Sequence, residues 1–453
     1  VNPLIFREYD IRGIAETELG DDEVFTFGRA YGSYVLDHGA ARCVIGRDVR
    51  LSGPRIRRAF ADGVLATGLD VVDLGVVPTP VFYYALHEVA DAGVMITASH
   101  NPPDYNGFKV GLERTTIYGE EIQRLRAVME TGRFRSGRGE LTGQDVIPAY
   151  LAMCRRKVTI PGRLRVAFDP GNGTAGVLLE RLFAGTPVEP HYINLAPDGN
   201  FPAHVPDPTV VKYVAQLIAL VRETGADCGI GYDGDADRIG AVDERGEMIF
   251  GDKLLGILAT PIVRAHPGAK VVFEVKCSQG LVEYLAGIGG TPLMWKTGHS
   301  LIKAKMKEEG ALIAGEMSGH MFFADDYYGY DDALFASLRL LELLSGSGKK
   351  LSELAAAIPS YFSTPEIRAA CPDELKFRVV AELRDRFRAD HEVLAIDGAR
   401  VQFGDGWGLV RASNTGPVLV LRFEARTPER LVAIRELFYS RLRRYPEVRL
   451  PAD

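Results

Sequence analysis

Asp233, Asp235 and Asp237 alternate with the small residues Gly234 and Ala236 in the stretch GYDGDADRIG. Three carboxylates so close together repel unless a cation neutralises them, and the small residues between them let all three turn to one point. An all-oxygen ligand set suits Mg²⁺, which keeps coordination positions open for phosphate oxygens. A solvated turn capped by aspartates is the alternative. Three of them with Arg238, at the end of an apolar strand, exceed what such a turn requires.

A second stretch, VMITASHNPPDYNGFKV (94–110), stiffens around Ser99. Pro102 and Pro103 lack backbone donors and fix the chain direction, so neither strand nor helix runs through them. With His100 beside it and Lys109 ten residues on, Ser99 reads as a nucleophile or phosphate carrier; a rigid turn is the alternative. In GEMSGH (315–320), Glu316 can accept two sugar hydroxyls, Ser318 can donate or accept beside it, and His320 can carry a proton near neutral pH. A turn holding a satisfied polar cluster also fits those residues, and WKTGHS (295–300) is a weaker stretch of the same kind. RASNTGP (411–417) offers the planar fork of Arg411 to a phosphate, with Ser413, Asn414 and Thr415 as small donors around it. Together these loops supply the parts for phosphoryl transfer on a phosphorylated sugar, where positioning and charge stabilisation dominate catalysis.

The elements that must hold these loops share one rhythm: a short β-branched strand, a Gly-containing loop, then a helix-patterned stretch. ARCVIGRD, LDVVDLGVVP, RLRVAFDPGNG, KVVFEVKCS and ALIAGEMSG read as strands. GPRIRRAFADGVLATG, VKYVAQLIALVRETG and SLIKAKMKEEG read as helices ending in Gly. The alternation predicts α/β layers with mostly parallel strands, whose ligands gather beyond the strand carboxyl ends. Composition shifts at TGRFRSGRGELTGQD, DERGE and SGSGKK with IPSYFSTPEI put boundaries near 145, 247 and 360. The expected domains are 1–145, 146–247, 248–360 and an α+β unit 361–453.

The 453 residues are 46% hydrophobic and 25% charged, with a formal net charge of −7. That balance fits a globular protein with no nucleic-acid or anionic-membrane partner, in which an anionic ligand needs a local basic pocket. Five scattered cysteines without a C-x-x-C pair fit free thiols in a reducing compartment. The start VNPLIFREYDIRG has no basic segment ahead of an apolar core, and no apolar run approaches the ~20 residues of a membrane helix, so a cytoplasmic protein is expected.

Three motifs compete with this reading. GNGTAG (171–176), with Asp198 downstream, matches the spacing of a dinucleotide fingerprint, but Asp198 sits in the turn-like PDGNFP. DGDADRIGAVDE (233–244) resembles a calcium loop but has Arg238 where the sharp turn needs Gly, between strands and not helices. SGSGKK lacks the first glycine of a phosphate loop and has Lys350 in place of Ser or Thr.

The sequence resembles the α-D-phosphohexomutases, closest to their bacterial phosphomannomutase/phosphoglucomutase branch. The likeness spans nearly the whole chain, in FREYDIRG, VIGRDVRLSGP, VPTPVFYYA, TASHNPPDYNGFKV, DGDADR, PLMWKTGHSLIK, AGEMSGH and GWGLVRASNTGPVLVLRFEA. It implies three similar mixed-sheet α/β domains and a C-terminal α+β domain around a central cleft. It also implies that Ser99 is a phosphoserine and that Asp233, Asp235 and Asp237 hold Mg²⁺ together with an oxygen of that group. By the same resemblance, Arg12, Lys109 and Arg238 handle phosphoserine or transition-state charge, and His320 with Arg12 marks the acid/base region. Tyr9, Lys276 and His299 would lie at the sugar phosphate, Glu316 and Ser318 at the sugar hydroxyls, and Arg411, Ser413, Asn414 and Thr415 at the phosphate not transferred. Ala236 stands where many relatives have Gly, and Gly416 varies a position outside the grip.

The implied reaction interconverts hexose 1-phosphate and hexose 6-phosphate through glucose 1,6-bisphosphate or mannose 1,6-bisphosphate, in a monomer or small homo-oligomer. Phosphoglucosamine mutase is the nearest rival, with Met317 between Glu316 and Ser318 as the distinguishing position. A catalytically silent sugar-phosphate sensor is the alternative from another class.

Overall fold

In the computed structural model, which describes residues 2–414 and 416–451, the short strands pair into four separate sheets. The first has the order Ile11–Ile14, Tyr105–Leu112, Ala92–Ile96, Arg42–Arg47, Asp70–Val76, Leu141–Gly143, with Thr115–Thr116 paired to Tyr105–Leu112. Its last four strands run parallel, while Ile11–Ile14 and Tyr105–Leu112 are antiparallel to their neighbours. The second sheet runs Met248–Ile249, Ile239–Asp243, Cys228–Tyr232, Leu164–Asp169, Val188–Tyr192, and the third Thr291–Trp295, Lys270–Glu274, Ile313–Gly315, Met321–Phe323.

Each of these three sheets has a parallel centre and an antiparallel edge. The antiparallel strand follows a site loop directly: Ser99 and its neighbours join Ala92–Ile96 to Tyr105–Leu112, and 233–238 join Cys228–Tyr232 to Ile239–Asp243. A chain that reverses at once needs no crossover helix, so the expectation of mostly parallel strands gives way at the edges that carry the chemistry. The fourth sheet, Phe362–Ser363, Val418–Ala425, Gly406–Ala412, Ala399–Gln402, Glu392–Leu394 with Ile367–Ala370 beside Val418–Ala425, is antiparallel throughout.

Central strands such as Ala92–Ile96 and Cys228–Tyr232 are buried along their whole length, as strands covered on both faces must be. One apolar core runs through the first three units, from Val44 and Phe82 through Tyr150 and Phe168 to Phe335. The fourth unit has its own core around Phe387, Phe423 and Phe438. Among the described residues, no helix is long and apolar enough to cross a membrane.

One helix differs from expectation. The stretch from Val211 becomes helical only at Ala215–Thr224, because Asp207 caps a turn at Thr209 and Val210 takes part in that turn. GNGTAG opens only a 3₁₀ turn, Thr174–Val177, and the short helix Leu179–Phe183. Its glycines serve packing: Thr174 donates both its amide and its hydroxyl to the Gly234 carbonyl, at 2.9 and 2.8 Å, and so buttresses the aspartate loop from behind.

Candidate active site

The serine and aspartate loops lie backbone against backbone. A Cβ on Gly234 would come within 2.4 Å of the Ser99 carbonyl oxygen, so glycine is required between Asp233 and Asp235. Ser99 Oγ donates to Asp233 Oδ2 at 2.5 Å, and His100 Nδ1 lies 3.0 Å from the same hydroxyl. Ser99 and Ala236 both have left-handed backbones, with φ of +50° and +62°. Non-glycine residues occupy that region only when the surroundings impose it, and such positions cluster at functional sites.

For Ser99 the surroundings centre on Arg50. Its buried guanidinium donates to the carbonyls of Ser99, Asn101, Pro102 and Tyr105 at 2.6–2.9 Å, and to Asp48 at 3.2 Å. Asp48 in turn accepts from Thr97 Oγ1, which accepts from the Ser99 amide. The loop is therefore stiffened from inside as well as by its prolines.

Asp233, Asp235 and Asp237 are fully buried, with oxygens of all three within 4.8 Å of one another. Lys109 donates to Oδ2 of Asp235 at 2.8 Å and to Oδ2 of Asp237, while Oδ1 of both carboxylates is buried without a hydrogen-bond partner. Buried carboxylate oxygens left unpartnered are costly, and an all-oxygen set of this charge fits a hard divalent cation. Burial and the other two carboxylates push Asp233 well above the usual carboxylate range. Burial works the same way on Asp235, but the Lys109 ammonium outweighs it and holds that group well below the range. Lys109, burial notwithstanding, is raised by Asp235 and Asp237. Asp237, His320 and Asp331 form a second group of close donor atoms, but Lys303 at 3.0 Å from Asp331 already supplies it with positive charge.

The sugar-reading candidates adjoin this cluster. Arg238 pairs with His320 in an isolated bridge and donates from Nε to His320 Nε2 at 3.0 Å. His320 Nδ1 lies 3.0 Å from Asp331 Oδ2, close but without an aligned hydrogen bond. His299 stacks on His320 with ring centroids 5.4 Å apart, and burial reinforced by Lys303 holds it far below the usual imidazole range, hence neutral. Glu316 Oε1 accepts the Gly298 amide at 2.7 Å, and Ser318 Oγ lies 3.5 Å from Oε2; burial raises Glu316. Arg12 reaches Asn101 of the serine loop at 2.5 Å and pairs with Asp10.

The fourth unit closes the group. Asn414 donates to Tyr9 Oη at 2.6 Å, and Tyr9 donates to the Thr297 carbonyl at 2.7 Å, so one phenol joins loops of the first, third and fourth units. A Cβ at Gly298 would sit 2.4 Å from the Tyr9 ring, which explains the glycine in WKTGHS. Arg411 donates to Asp397 at 2.8 Å, and Asp397 also accepts the Thr297 amide. Lys276 bridges to Glu366 at 3.0 Å, and its ammonium holds that carboxyl down at about 2. Ser413 is buried beside Arg411, and Thr415 lies outside the described residues.

The other candidate site residues stand on these loops or, like Arg12, Lys109, Arg411 and His299, on the strands and helix that adjoin them, while Asp198 and Lys350 lie elsewhere. Arg50, Asp331, Lys303, Glu274 and Asp397 were not singled out. Glu274, buried, accepts from Thr297 Oγ1 at 2.6 Å and from the Met317 amide at 3.2 Å, which ties the two loops of the third unit together. The available signal was a charged residue next to an apolar strand, as in VVFEVK and VIGRDVR, where burial forces a pairing.

A fold of three α/β units and an antiparallel fourth, with a carboxylate cluster against a buried serine and basic side chains on every side, defines a phosphoryl-transfer enzyme. Matches to family models bear this out. Domains I, II and III of the phosphoglucomutase/phosphomannomutase family, each described as alpha/beta/alpha, match residues 3–136, 148–246 and 250–362, and the family's C-terminal domain matches 366–440. The phosphomannomutase/phosphoglucomutase of Pseudomonas aeruginosa is 45% identical over 443 residues, covering 97% of this chain and 95% of that protein. The phosphoglucomutase of Neisseria gonorrhoeae is 42% identical over 453 residues, covering 99% and 98%. The crystal structure of a phosphoglucomutase/phosphomannomutase family protein from Burkholderia thailandensis superposes with a TM-score of 0.92 at 41% identity over 100% of both chains. The chain belongs to the phosphoglucomutase/phosphomannomutase family and is an isomerase of that family.

Proposed function

We propose that the chain interconverts hexose 1-phosphate and hexose 6-phosphate, with mannose, glucose or both as the sugar, using Ser99 as a phosphoryl carrier. The observation that carries this reading is the Ser99 hydroxyl held against Asp233 at the rim of a three-carboxylate cluster. Phosphorylated Ser99 would give its phosphoryl group to the free hydroxyl of a bound hexose phosphate: the serine O–P bond breaks, a sugar O–P bond forms, and the hydroxyl proton leaves to a base. The glucose or mannose 1,6-bisphosphate so formed would turn end for end, and Ser99 Oγ would take the other phosphoryl group back. The same bisphosphate, supplied from outside, would prime Ser99.

Asp233, Asp235 and Asp237 would hold Mg²⁺, whose charge offsets the charge on the phosphoryl oxygens. Lys109, which donates to Asp235 and Asp237, Arg238, which donates to His320, and Arg12, which donates to Asn101 of the serine loop, would stabilise charge as the phosphoryl group passes. Arg411, Ser413, Asn414 and Thr415, with Tyr9, Lys276 and His299, would hold the phosphate that is not transferred. Glu316 and Ser318 would read hydroxyls common to both sugar orientations. Proton transfer falls to the region of His320 and Arg12; His320 gains a free nitrogen when Arg238 Nε releases it.

Further parts of the reading are the domains 1–145, 146–247, 248–360 and 361–453, and a cytoplasmic setting for a monomer or small homo-oligomer without nucleic-acid or membrane partners. The five buried free thiols support a reducing compartment. The relatives' names favour mannose and glucose phosphates over a phosphoglucosamine substrate or a silent sensor. Phosphorus NMR of the chain with Mg²⁺, a trace of glucose 1,6-bisphosphate, and glucose, mannose or glucosamine 1-phosphate tests it. Conversion of the first or second to its 6-phosphate is expected; conversion of glucosamine 1-phosphate alone would overturn the reading.

A further inference from the structure

The motif GNGTAG (171–176) is organised by one carboxylate. Asp169, buried at the end of the strand Leu164–Asp169, accepts the Gly171 amide at 2.9 Å and Asn194 Nδ2 at 3.1 Å on Oδ1. Its other oxygen, Oδ2, lies 2.9 Å from His204 Nε2. The second ring nitrogen, Nδ1, lies 2.8 Å from the Val205 carbonyl oxygen. A neutral imidazole carries one N–H, and neither a carbonyl nor a carboxylate has a hydrogen to return, so only the imidazolium meets both acceptors. Burial works against that charge, but the hydrogen bonds to Asp169 and Val205 outweigh it and raise the ring above its ordinary value.

This pair reaches the aspartate loop along two routes. Thr174, at the far end of the turn that Asp169 caps, gives both of its donors to the Gly234 carbonyl. From the other side, the segment FPAHVPDP (201–208) carries Pro206, two residues after His204, into the space beside both Gly171 and Gly234. Pro208 of the same segment fills the space beside Gly231 and Gly240, on the strands that flank the loop. The groups facing the ring are Asp169, which forms the ion pair, and Tyr213, which stacks on it with centroids 6.4 Å apart and has Lys212 over its own ring.

We propose that His204, held as an imidazolium between Asp169 and Val205, is a positioning residue that clamps the aspartate loop from behind, so that the loop loosens when the ring loses its proton. A group whose folded-state pKa is raised contributes stability that is fully present below its unfolded value, here 6.5, and is lost as pH rises through the folded one. Above that point the neutral ring keeps one hydrogen bond and leaves the other acceptor bare. The consequence for the reaction rests on the reading that the loop's carboxylates take Mg²⁺; the clamp itself does not.

Hydrogen exchange of the full chain, read by mass spectrometry at about pH 6 and about pH 9, compares wild type with His204→Gln, whose amide nitrogen reaches Asp169 but not Val205 and carries no charge. The ratio of the two proteins' rates at one pH cancels intrinsic exchange. In peptides covering 170–176 and 232–238 the variant should exchange about tenfold faster at the lower pH, the weight of one charged hydrogen bond, and at nearly the wild-type rate at the higher. A ratio near one at the lower pH, or a ratio that does not change with pH, overturns the proposal. Should His204→Gln fail to fold, wild type decides alone: exchange in these peptides relative to 418–425 in the fourth unit should rise about tenfold between the two pH values, and a constant ratio overturns it. Calorimetry with Mg²⁺ at the lower pH reads the consequence. Affinity about tenfold weaker in the variant supports the positioning role, and equal affinity refutes it. A wild type that takes no Mg²⁺ contradicts the reading of the carboxylate cluster and leaves the exchange ratio to decide the clamp.

Discussion

Ser99 and Asp233 stand 134 positions apart in the chain, yet the serine hydroxyl donates to the aspartate carboxylate at 2.5 Å. That contact joins the first sheet to the second at the carboxyl ends of two buried strands, Ala92–Ile96 and Cys228–Tyr232. Phosphate held at one end of this contact is within reach of a cation held at the other.

Replacing Ser99 with Ala should leave the fold intact, because Arg50 grips the loop through backbone carbonyls and not through the serine hydroxyl. Mutase turnover should fall by at least about a thousandfold, since an interaction present only in the reacting state is lost. Steady-state assay beside a circular-dichroism melt separates the two effects.

Lys109 is the only cation that touches both Asp235 and Asp237 among the described residues. Lys109→Met leaves buried carboxylates uncompensated and should destabilise the chain by about 3–5 kcal/mol in chelator. Mg²⁺ should restore much of that loss, because a ligand that binds only the folded state stabilises it. Thermal melts of wild type and variant, each with EDTA or with Mg²⁺, read this as a difference of differences. Equal losses in both conditions would sink it.

Glu316→Gln keeps the shape of the side chain and removes its charge. The Gly298 amide keeps an acceptor, so stability should change little. If Glu316 reads sugar hydroxyls, kcat/KM should drop by about ten- to a thousandfold, the range for one charged hydrogen bond or two. Kinetics with both hexose 1-phosphates measure this.

The Lys276–Glu366 pair ties the third unit to the fourth, and Lys276 holds Glu366 at about 2 against a usual value of 4.5. A carboxyl with a depressed folded-state pKa contributes stability that is fully present above its unfolded value and is lost as pH falls through the folded one. The contribution should therefore disappear between about pH 4.5 and 2. Lys276→Met should move the acid-unfolding midpoint upward, as followed by tryptophan fluorescence; an unmoved midpoint would show that the pair adds nothing.

Much of this architecture was legible in the sequence because its strands are short, β-branched and followed by glycine-rich loops. Those features report local conformation, and DGDADR and TASHNPP sit at the strand ends where the pattern puts them. The antiparallel returns after the serine and aspartate loops were not legible, since a strand's direction depends on its partner and not on its own residues. Arg50 and Asp331 escaped for a related reason. Each acts by meeting groups far off in the chain, Arg50 on carbonyls up to 55 positions away and Asp331 on Lys303 and His320. GNGTAG is the converse case: its spacing imitates a cofactor loop, the turn-like PDGNFP around Asp198 argues against one, and its glycines serve close packing against Gly234 and Leu195.

The central claim is that Ser99 carries the phosphoryl group. Mixing the full chain and Mg²⁺ with glucose 1,6-bisphosphate labelled with ³²P in both phosphates, quenching in acid and mapping the peptides tests it most directly. Label should appear on the peptide containing Ser99 and wash out when unlabelled hexose 1-phosphate is added. Turnover that proceeds while this peptide stays unlabelled would contradict the account.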